Sequence, residues 1–375
     1  MIENSPLFTP WADPCSGVVS YLLDRRIAPL QQTFYFTSDC LSRDGRYLWF
    51  YCAFPPGGDA YYGRQLAVVD LVDQEVRHLP DTQFTDASPG VDLATGDVYW
   101  ITVLGLWKRG PRPGDKPVLV NSFPAELANG RRPLRVATHL SRCADGASFA
   151  IDAQLGSEWF LGDLPLDGSP FRLWKKLDRC YNHAQFSPVN PDLILMAQDG
   201  WYDGATGEKG EAEDRIWLAS RNGQVEALFP ESPSNMRGHE WWGRDGRHIW
   251  YIHYGQGVAR FNLERRQMEM VWPLEFASHA HADTTERYIV ADVIPQQRQE
   301  SRIVFLNRES GRAVDIVSDL PYPAPDLELY KSKYHVHPHP RFTEDDRYII
   351  YTTTVRGVVD VAVVPVAALI EKTSA

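Results

Sequence analysis

Residues 335–341 read HVHPHPR, and the three histidines His335, His337 and His339 occupy alternate positions. Alternate residues of an extended segment point to one face, and the prolines keep this segment out of a helix. Imidazole rings gathered on one face can bind a divalent metal, or they can move protons near neutral pH. The motif therefore predicts a metal site or an acid–base site, which the surrounding elements must position.

Histidine also recurs at one position of a repeated pattern. When the repeats are aligned on an apolar strand residue, a histidine lies ten residues before it in five repeats, as His139, His183, His239, His279 and His339. A histidine at such a position is often structural and bonds within its own repeat. Five such residues together, with His281 and His337 two residues from members of the set, favour a functional cluster.

Three of these histidines form the predicted metal set. His337 and His339 are neighbours on one strand face, and we expect His279 to reach them from the preceding repeat. Three neutral imidazoles leave open positions for water or substrate, as a catalytic metal site requires. Nitrogen ligands alone do not choose among Mn, Zn, Ni and Fe.

The elements that carry these residues repeat along the chain. Two short strands flank a polar turn, often containing Asp and Gly, at 41–51, 94–102, 139–152, 183–197, 239–252, 279–292 and 339–352. A third strand and a polar return follow at 64–79, 215–229, 257–272 and 302–317. A four-stranded unit that returns every roughly 40–50 residues is typical of propeller blades. The sequence thus predicts an all-β, seven-bladed β-propeller, with a β-sandwich as the structural alternative.

The beginning of the chain is expected to close the ring. Residues 16–24, SGVVSYLLD, alternate like an outer strand but follow no hairpin, so we expect them to pair with the C-terminal blade. Because a closed ring behaves as one unit, residues 1–375 are predicted to form a single domain. Residues 1–30 would be its N-terminal segment and residues 31–375 its seven blades.

Composition and charge limit the kinds of partner that we expect this protein to bind. A net charge of −11 without any basic block argues against nucleic acid. The five cysteines are odd in number and lack metal-binding spacing, so we expect reduced thiols. No signal peptide is visible in residues 1–20, and no apolar run approaches the ~18 residues of a membrane span. We expect a cytoplasmic protein without a membrane partner; its oligomeric state is not indicated.

Several strings resemble one known family. They are HAQFSPVNPDLILMAQDG (183–200), DRIWLASRNG (214–223), MRGHEWWGRDGRHIWY (236–251) and HPHPRFTEDDRYIIYT (337–352). Together they look like the oligogalacturonate lyases, and the blade pattern extends the resemblance over nearly the whole chain. That family consists of cytoplasmic seven-bladed propellers that degrade short pectin fragments by β-elimination with a manganese-type divalent ion.

The resemblance implies roles for matching residues. His239 would be the Brønsted base and Arg215 the arginine that neutralises the uronate. His279, His337 and His339 would be the metal ligands, with Mn²⁺ as the expected ion. We also consider His183 and Arg237 as contacts to sugar carboxylates or hydroxyls.

One departure from the family concerns the metal shell. The family has a glutamine ligand shortly before the histidine pair, where this chain has Tyr334 and His335. Three explanations are open: either His335 takes the place of the glutamine, or water completes the metal shell, or the metal and substrate differ from those of the family.

The predicted function is therefore a lyase that cleaves short acidic oligosaccharides, with oligogalacturonate as the expected substrate. Removing the C5 proton builds negative charge on the adjacent carboxylate, which a metal and an arginine stabilise. A neutral histidine, with a reference pKa of about 6.5, suits the role of base. The alternatives are a metal-dependent hydrolase or epimerase of a related sugar, and a non-catalytic propeller that acts as a binding module.

Overall fold

The computed structural model describes residues 2–202, 206–295, 301–321 and 333–374. Within these ranges the strands form seven antiparallel sheets and one separate two-stranded hairpin. The seven sheets are the blades of a propeller, so the predicted all-β, seven-bladed fold is confirmed. Apolar runs rich in aromatic and β-branched residues form second strands that are buried along their whole length, as in Tyr47–Ala53 and Tyr348–Thr353.

Blades 1 and 2 have four strands each, and blade 3 has three. From the inner to the outer strand, blade 1 contains Leu30–Gln32, Tyr47–Ala53, Tyr62–Asp70 and Glu75–Thr85. Blade 2 contains Gly90–Val91, Val98–Thr102, Gly105–Arg109 and Val118–Ser122. Blade 3 contains Ser148–Leu155, Glu158–Pro165 and Arg172–Leu177. Its inner position is taken by a segment that makes only isolated bridges, Arg135 with Gln154 and Arg142 with Phe149.

Blades 4, 5 and 6 are four-stranded. Blade 4 contains Tyr181–Phe186, Leu193–Gln198, Ile216–Ser220 and Val225–Ala227, and the hairpin of Trp201–Tyr202 with Lys209–Gly210 extends from it. Blade 5 contains Arg237–Trp242, His248–His253, Gly257–Asn262 and Gln267–Pro273. Blade 6 contains Ala277–Ala282, Tyr288–Val293, Arg302–Asn307 and Arg312–Val317.

Blade 7 combines both ends of the chain. Its inner strands are Arg341–Phe342, Tyr348–Thr353 and Asp360–Pro365, followed by Val19–Leu23 and Phe8–Ala12. Tyr21 pairs with Val363 and Leu22 with Ala362, so a strand within residues 16–24 lies beside the C-terminal strand. Phe8–Ala12, which the sequence analysis did not propose as a strand, adds a fifth strand outside it.

In the part of the chain that the structure describes, helices are few and short. A 3-10 turn spans Ile2–Asn4, one turn of helix spans Ala125–Ala128, and a helix at the C-terminus spans Val366–Ser374. This last helix packs Leu369 into the cluster around Phe305 and Tyr351 of blades 6 and 7. No helix in the described ranges has the length and apolar character needed to cross a lipid bilayer. All five cysteines lie in those ranges and carry free thiols.

The axis of the propeller is filled by aromatic side chains that follow the first inner strand. Tyr35 stacks on His139 with ring centroids 4.2 Å apart and meets His339 edge-on at 4.9 Å. Phe36 contacts the rings of His239 and His279, at 6.1 and 5.4 Å. Large buried aromatic rings of this kind pack with defined geometry, so Tyr35 and Phe36 form a floor that holds the imidazoles in place.

Candidate functional site

The inner strands bring histidines to the axis through a repeated backbone irregularity. His183, His239 and His339 have φ angles of 54°, 48° and 45°, in the left-handed region that non-glycine residues rarely adopt. The strand pairing shifts register around His183 and His239, between 182 and 185 and between 238 and 241. A β-bulge re-aims side chains in this way. Backbone strain of about 1–3 kcal/mol per residue persists where surrounding structure enforces it, and here it turns three imidazoles toward one centre.

A different set of three histidines, which shares only His339 with the set above, forms a compact group. Nitrogens of His279, His337 and His339 all lie within 4.8 Å of one another. The ring centroids are 5.4 Å apart for His279 and His337, and 4.4 Å apart for His279 and His339. The structure thus brings together the three residues that the sequence analysis assigned as metal ligands.

The donor atoms of this group suit a divalent metal. The Nδ1 of His279 lies 2.9 Å from a carboxylate oxygen of Asp292, so Nδ1–H donates and Nε2 carries the lone pair. Among the described residues, neither His279 Nε2 nor His339 Nε2 has a hydrogen-bond partner, although both are buried. A ligating histidine that donates its other N–H to a carboxylate is the usual arrangement in metal sites. Burial, reinforced by neighbouring imidazoles, lowers the pKa of His339 well below its ordinary value, which keeps the ring neutral, as ligation requires.

His239 lies directly beside this group. Its ring centroid is 4.0 Å from that of His279, and the ring lines a cavity. Its Nδ1 donates to the carbonyl of Ser278, and the Tyr254 hydroxyl lies 3.2 Å from the same nitrogen. Burial, then electrostatic interactions with His279 and Arg215, lower the pKa of His239 well below its ordinary value. The ring is therefore neutral, and Nε2 is its proton acceptor.

The imidazoles of His139 and His183 form a pair of their own. The Nε2 of His139 and the Nδ1 of His183 are 2.6 Å apart, so one proton lies between two neutral rings. Burial lowers the pKa of His139 to about 3 and that of His183 well below its ordinary value. His183 lines the same cavity as His239, where the sequence analysis expected a sugar contact.

Arg215 lies next to the histidines but has counter-ions of its own. Its guanidinium forms an ion pair with Asp199, and its Nε lies 3.6 Å from Glu240 Oε2. Burial alone would lower the pKa of Arg215, but Glu240 and Asp199 outweigh it and raise the pKa. Asp199 lines the cavity and Arg215 does not, so the Asp199 carboxylate lies between the Arg215 guanidinium and the cavity.

The structure does not bring Arg237 to this cavity. Its guanidinium lies over the ring of Phe229, 4.1 Å from the centroid, and it donates to the carbonyl of Ser232 at 2.8 Å. Arg237 is not among the described residues that line the cavity. The β-bulge around His239 turns the two side chains apart, and the contacts that hold Arg237 are structural.

The cavity beside the histidines has a volume of ≈ 530 Å³. His183, His239, His335 and His339 line it, and the exposed Tyr61 and Tyr202 stand at its mouth. Small-molecule sites usually measure about 300–1,000 Å³, so the space is sufficient for more than one sugar ring. Exposed aromatic faces at the mouth are suited to stacking against such rings.

Four charged residues of the cavity wall were missed from the sequence. Arg64, Asp86 and Arg135 line it from blades 1 to 3, and Asp199 lines it from blade 4. Another missed residue had a detectable signal. Asp292 lies thirteen residues after His279, as Asp152 does after His139, and both carboxylates accept an inner-strand backbone N–H at 2.7 Å.

The position of the family departure is also resolved. Tyr334 is buried at 1% exposure in a cluster with Leu30 and Val359, so its ring packs away from the cavity. His335 lines the cavity instead, and its ring centroid lies 4.4 Å from that of His337. Of the two residues, His335 is the one beside the group of His279, His337 and His339.

Comparison with known proteins places the fold. No family model matches the sequence, and no curated protein matches it. Among solved structures, an oligogalacturonate lyase in complex with manganese superposes with a TM-score of 0.74 at 16% identity, covering 96% of each chain. An oligogalacturonate lyase from Vibrio parahaemolyticus superposes with a TM-score of 0.75 at 17% identity, again covering 96% of each chain. The chain has the fold of oligogalacturonate lyases. At this level of identity the similarity establishes the fold alone, and the chemistry must be argued from the site.

Proposed function

We propose that this protein is a lyase that cleaves short acidic oligosaccharides by metal-assisted β-elimination. The observation that carries the proposal is the group of His279, His337 and His339, whose nitrogens lie within 4.8 Å of one another, directly beside the neutral His239. The fold shared with a lyase in complex with manganese supports the same conclusion. Oligogalacturonate is the substrate that we expect.

His279, His337 and His339 would hold the divalent ion, with Mn²⁺ as the expected metal. When bound, such an ion supplies Lewis-acid stabilisation of a substrate carboxylate. Asp292 fixes the tautomer and orientation of His279, which prepares the group before binding.

His239 is the proposed base. Nε2 takes the C5 proton of the uronate, the electron pair forms the C4–C5 double bond, and the C4–O bond breaks. The leaving oxygen takes a proton from solvent. The Ser278 carbonyl, which accepts from Nδ1, stabilises the imidazolium that forms. No water is added to the sugar, so the product has a 4,5-unsaturated end.

Arg215 contributes through its charge. It is one of the causes that lower the pKa values of His183 and His239, and it therefore helps to keep both rings neutral. Neutralising a substrate carboxylate directly would require displacement of Asp199, its present partner.

The test is ultraviolet absorbance of the unsaturated product. We expect absorbance to rise when the protein meets oligogalacturonate with manganese, to stop rising with chelator, and to resume after manganese is restored. Product mass then separates elimination from hydrolysis, because hydrolysis adds one water. Absence of any product from a panel of uronate oligomers, with metal present, would contradict the lyase proposal and favour a binding module.

A further inference from the structure

One cation in the cavity wall is buried without a counter-ion. Arg64 is 5% exposed, lies on the third strand of blade 1 and lines the cavity shared by His239 and His339. Its Nη2 donates to the carbonyls of Ala60 and Asp86, at 2.6 and 3.0 Å. The guanidinium also lies over the ring of Tyr51, 4.9 Å from the centroid.

Two other buried arginines, Arg109 and Arg341, have carboxylate partners, whereas the buried Arg237 has none among the described residues and lies over Phe229 outside the cavity. Arg109 is 4% exposed and pairs with Asp81 at 2.6 Å, and Arg215 pairs with Asp199 and Glu240. Among the described residues, Asp86 and Asp59 act on Arg64 only through longer-range electrostatics, its hydrogen bonds go to backbone carbonyls, and its Nε has no hydrogen-bond partner. A buried charge without a partner is costly, so a cation left this way in a cavity wall indicates an anionic ligand.

The nearest acidic group does not fill this role. Asp86 lines the cavity and interacts electrostatically with Arg64, but burial raises the pKa of its carboxyl to about 7. A carboxyl that is protonated in half of the molecules near neutral pH leaves much of the Arg64 charge uncompensated. Burial correspondingly lowers the pKa of Arg64, as expected for a cation that lacks an anion.

We propose that Arg64 binds the carboxylate of a second uronate, the neighbour of the sugar that loses its C5 proton. In this role Arg64 would favour the oligogalacturonate already expected over a uronate joined to a neutral sugar. This inference rests on the proposed function, since the histidine group holds the reacting sugar. A planar guanidinium binds a carboxylate through two parallel hydrogen bonds, and exposed Tyr61, close in sequence to Arg64, offers a face for the second ring.

The experiment measures equilibrium binding in a His239→Ala background with manganese, where turnover is prevented. The ligands are galacturonate, digalacturonate, and digalacturonate methyl-esterified on its second carboxyl. Arg64→Met should weaken binding of digalacturonate about 10- to 100-fold, the usual worth of hydrogen bonds to a charged group. It should leave galacturonate unchanged, and it should abolish the preference for the diacid over the ester. Arg64→Lys keeps the charge but lacks the two parallel N–H donors of the guanidinium, so it should weaken digalacturonate binding less than Arg64→Met does. This variant replaces Arg64→Met if the Met variant does not fold.

Arg109→Met is the matched control, because it removes an equally buried guanidinium outside the cavity and should change no binding constant. Equal weakening of galacturonate and digalacturonate by Arg64→Met would overturn the proposal, because Arg64 would then contact the reacting sugar. Unchanged binding of both would overturn it as well. Failure of the proposed function has a different signature: digalacturonate binds in an Arg64-dependent manner, and the native protein forms no unsaturated product. If no uronate binds to the native protein, both proposals fail.

Discussion

His279 Nδ1 and Asp292 Oδ2 lie 2.9 Å apart, and neither residue has any exposed surface. The other carboxylate oxygen accepts the backbone N–H of His279 at 2.7 Å. Ring and backbone of the histidine are therefore held by one carboxylate on the neighbouring strand of blade 6. This double contact fixes the direction in which Nε2 points, toward His337 and His339.

Asp292→Asn should lower the affinity for manganese about 10- to 100-fold, as loss of such outer partners does in metal sites. An amide is a weaker acceptor, and it can present its N–H₂ group to Nδ1 and favour the wrong tautomer of His279. Competition with a chelating dye measures the affinity. Asp152→Asn is the matched control, because Asp152 holds Thr138 in the same way in blade 3 without contacting the metal group. Equal loss of affinity in both variants would show a general effect on folding.

His239→Ala should lower turnover by about 10²–10⁴-fold, the usual contribution of a general base, and should leave the metal content intact. His279→Ala should instead lose the metal, because it removes one of the three proposed ligands. Elemental analysis of the purified variants, together with the rate of product formation, separates the two roles. Loss of metal from the His239→Ala variant would reassign His239 as a ligand.

The sequence allowed the propeller and the histidine group to be predicted because both depend on repetition. Strand–turn–strand patterns and the recurring histidine are local signals. Because every blade places its inner strand at the axis, residues that recur at the same position of that strand also lie at the axis. Arg64 and Asp86 follow no such repeat. Their places in the cavity depend on how blades 1 to 3 pack around the axis, which sequence spacing does not reveal.

Arg237 shows the limit of reasoning from an aligned motif. It lies two residues before His239 in the same strand, and simple alternation would place both side chains on one face. The bulge between 238 and 241, with His239 at φ 48°, breaks that alternation. As a result the arginine packs on Phe229 while the histidine enters the cavity.

The stability of the protein should depend on the ionisation of Asp86. Burial raises the pKa of its carboxyl to about 7 in the folded state, against an ordinary value near 4 in the unfolded chain. The folded state therefore binds the proton more tightly. Stability from this group is full below about pH 4 and is lost as pH rises toward 7, by about 4 kcal/mol.

Asp86→Asn removes this dependence. We expect the variant to unfold at higher denaturant concentration than the native protein at pH 8, and to show no such advantage at pH 4. Chemical denaturation at several pH values measures the difference. A variant less stable than the native protein at pH 8 would show that the ionised carboxylate stabilises the fold through Arg64 and Arg135.

Tyr35 should matter for both stability and metal binding, because its ring contacts several of the imidazoles. It is 5% exposed and lies within 4.2 to 6.1 Å of the rings of His139, His183, His279 and His339. Tyr35→Ala leaves a large cavity under these rings and should lower the free energy of unfolding by about 3–5 kcal/mol. Because the imidazoles lose the ring that packs against them, manganese affinity should fall as well.

Tyr35→Phe keeps the ring and removes only the hydroxyl, so this variant should retain manganese affinity and most of the stability. Denaturant unfolding and chelator competition measure the two quantities on the same samples. If Tyr35→Ala loses stability but binds manganese as tightly as the native protein, then the strained backbone and Asp292 orient the ligands without help from the ring. If Tyr35→Phe also loses the metal, the hydroxyl itself takes part in holding the site.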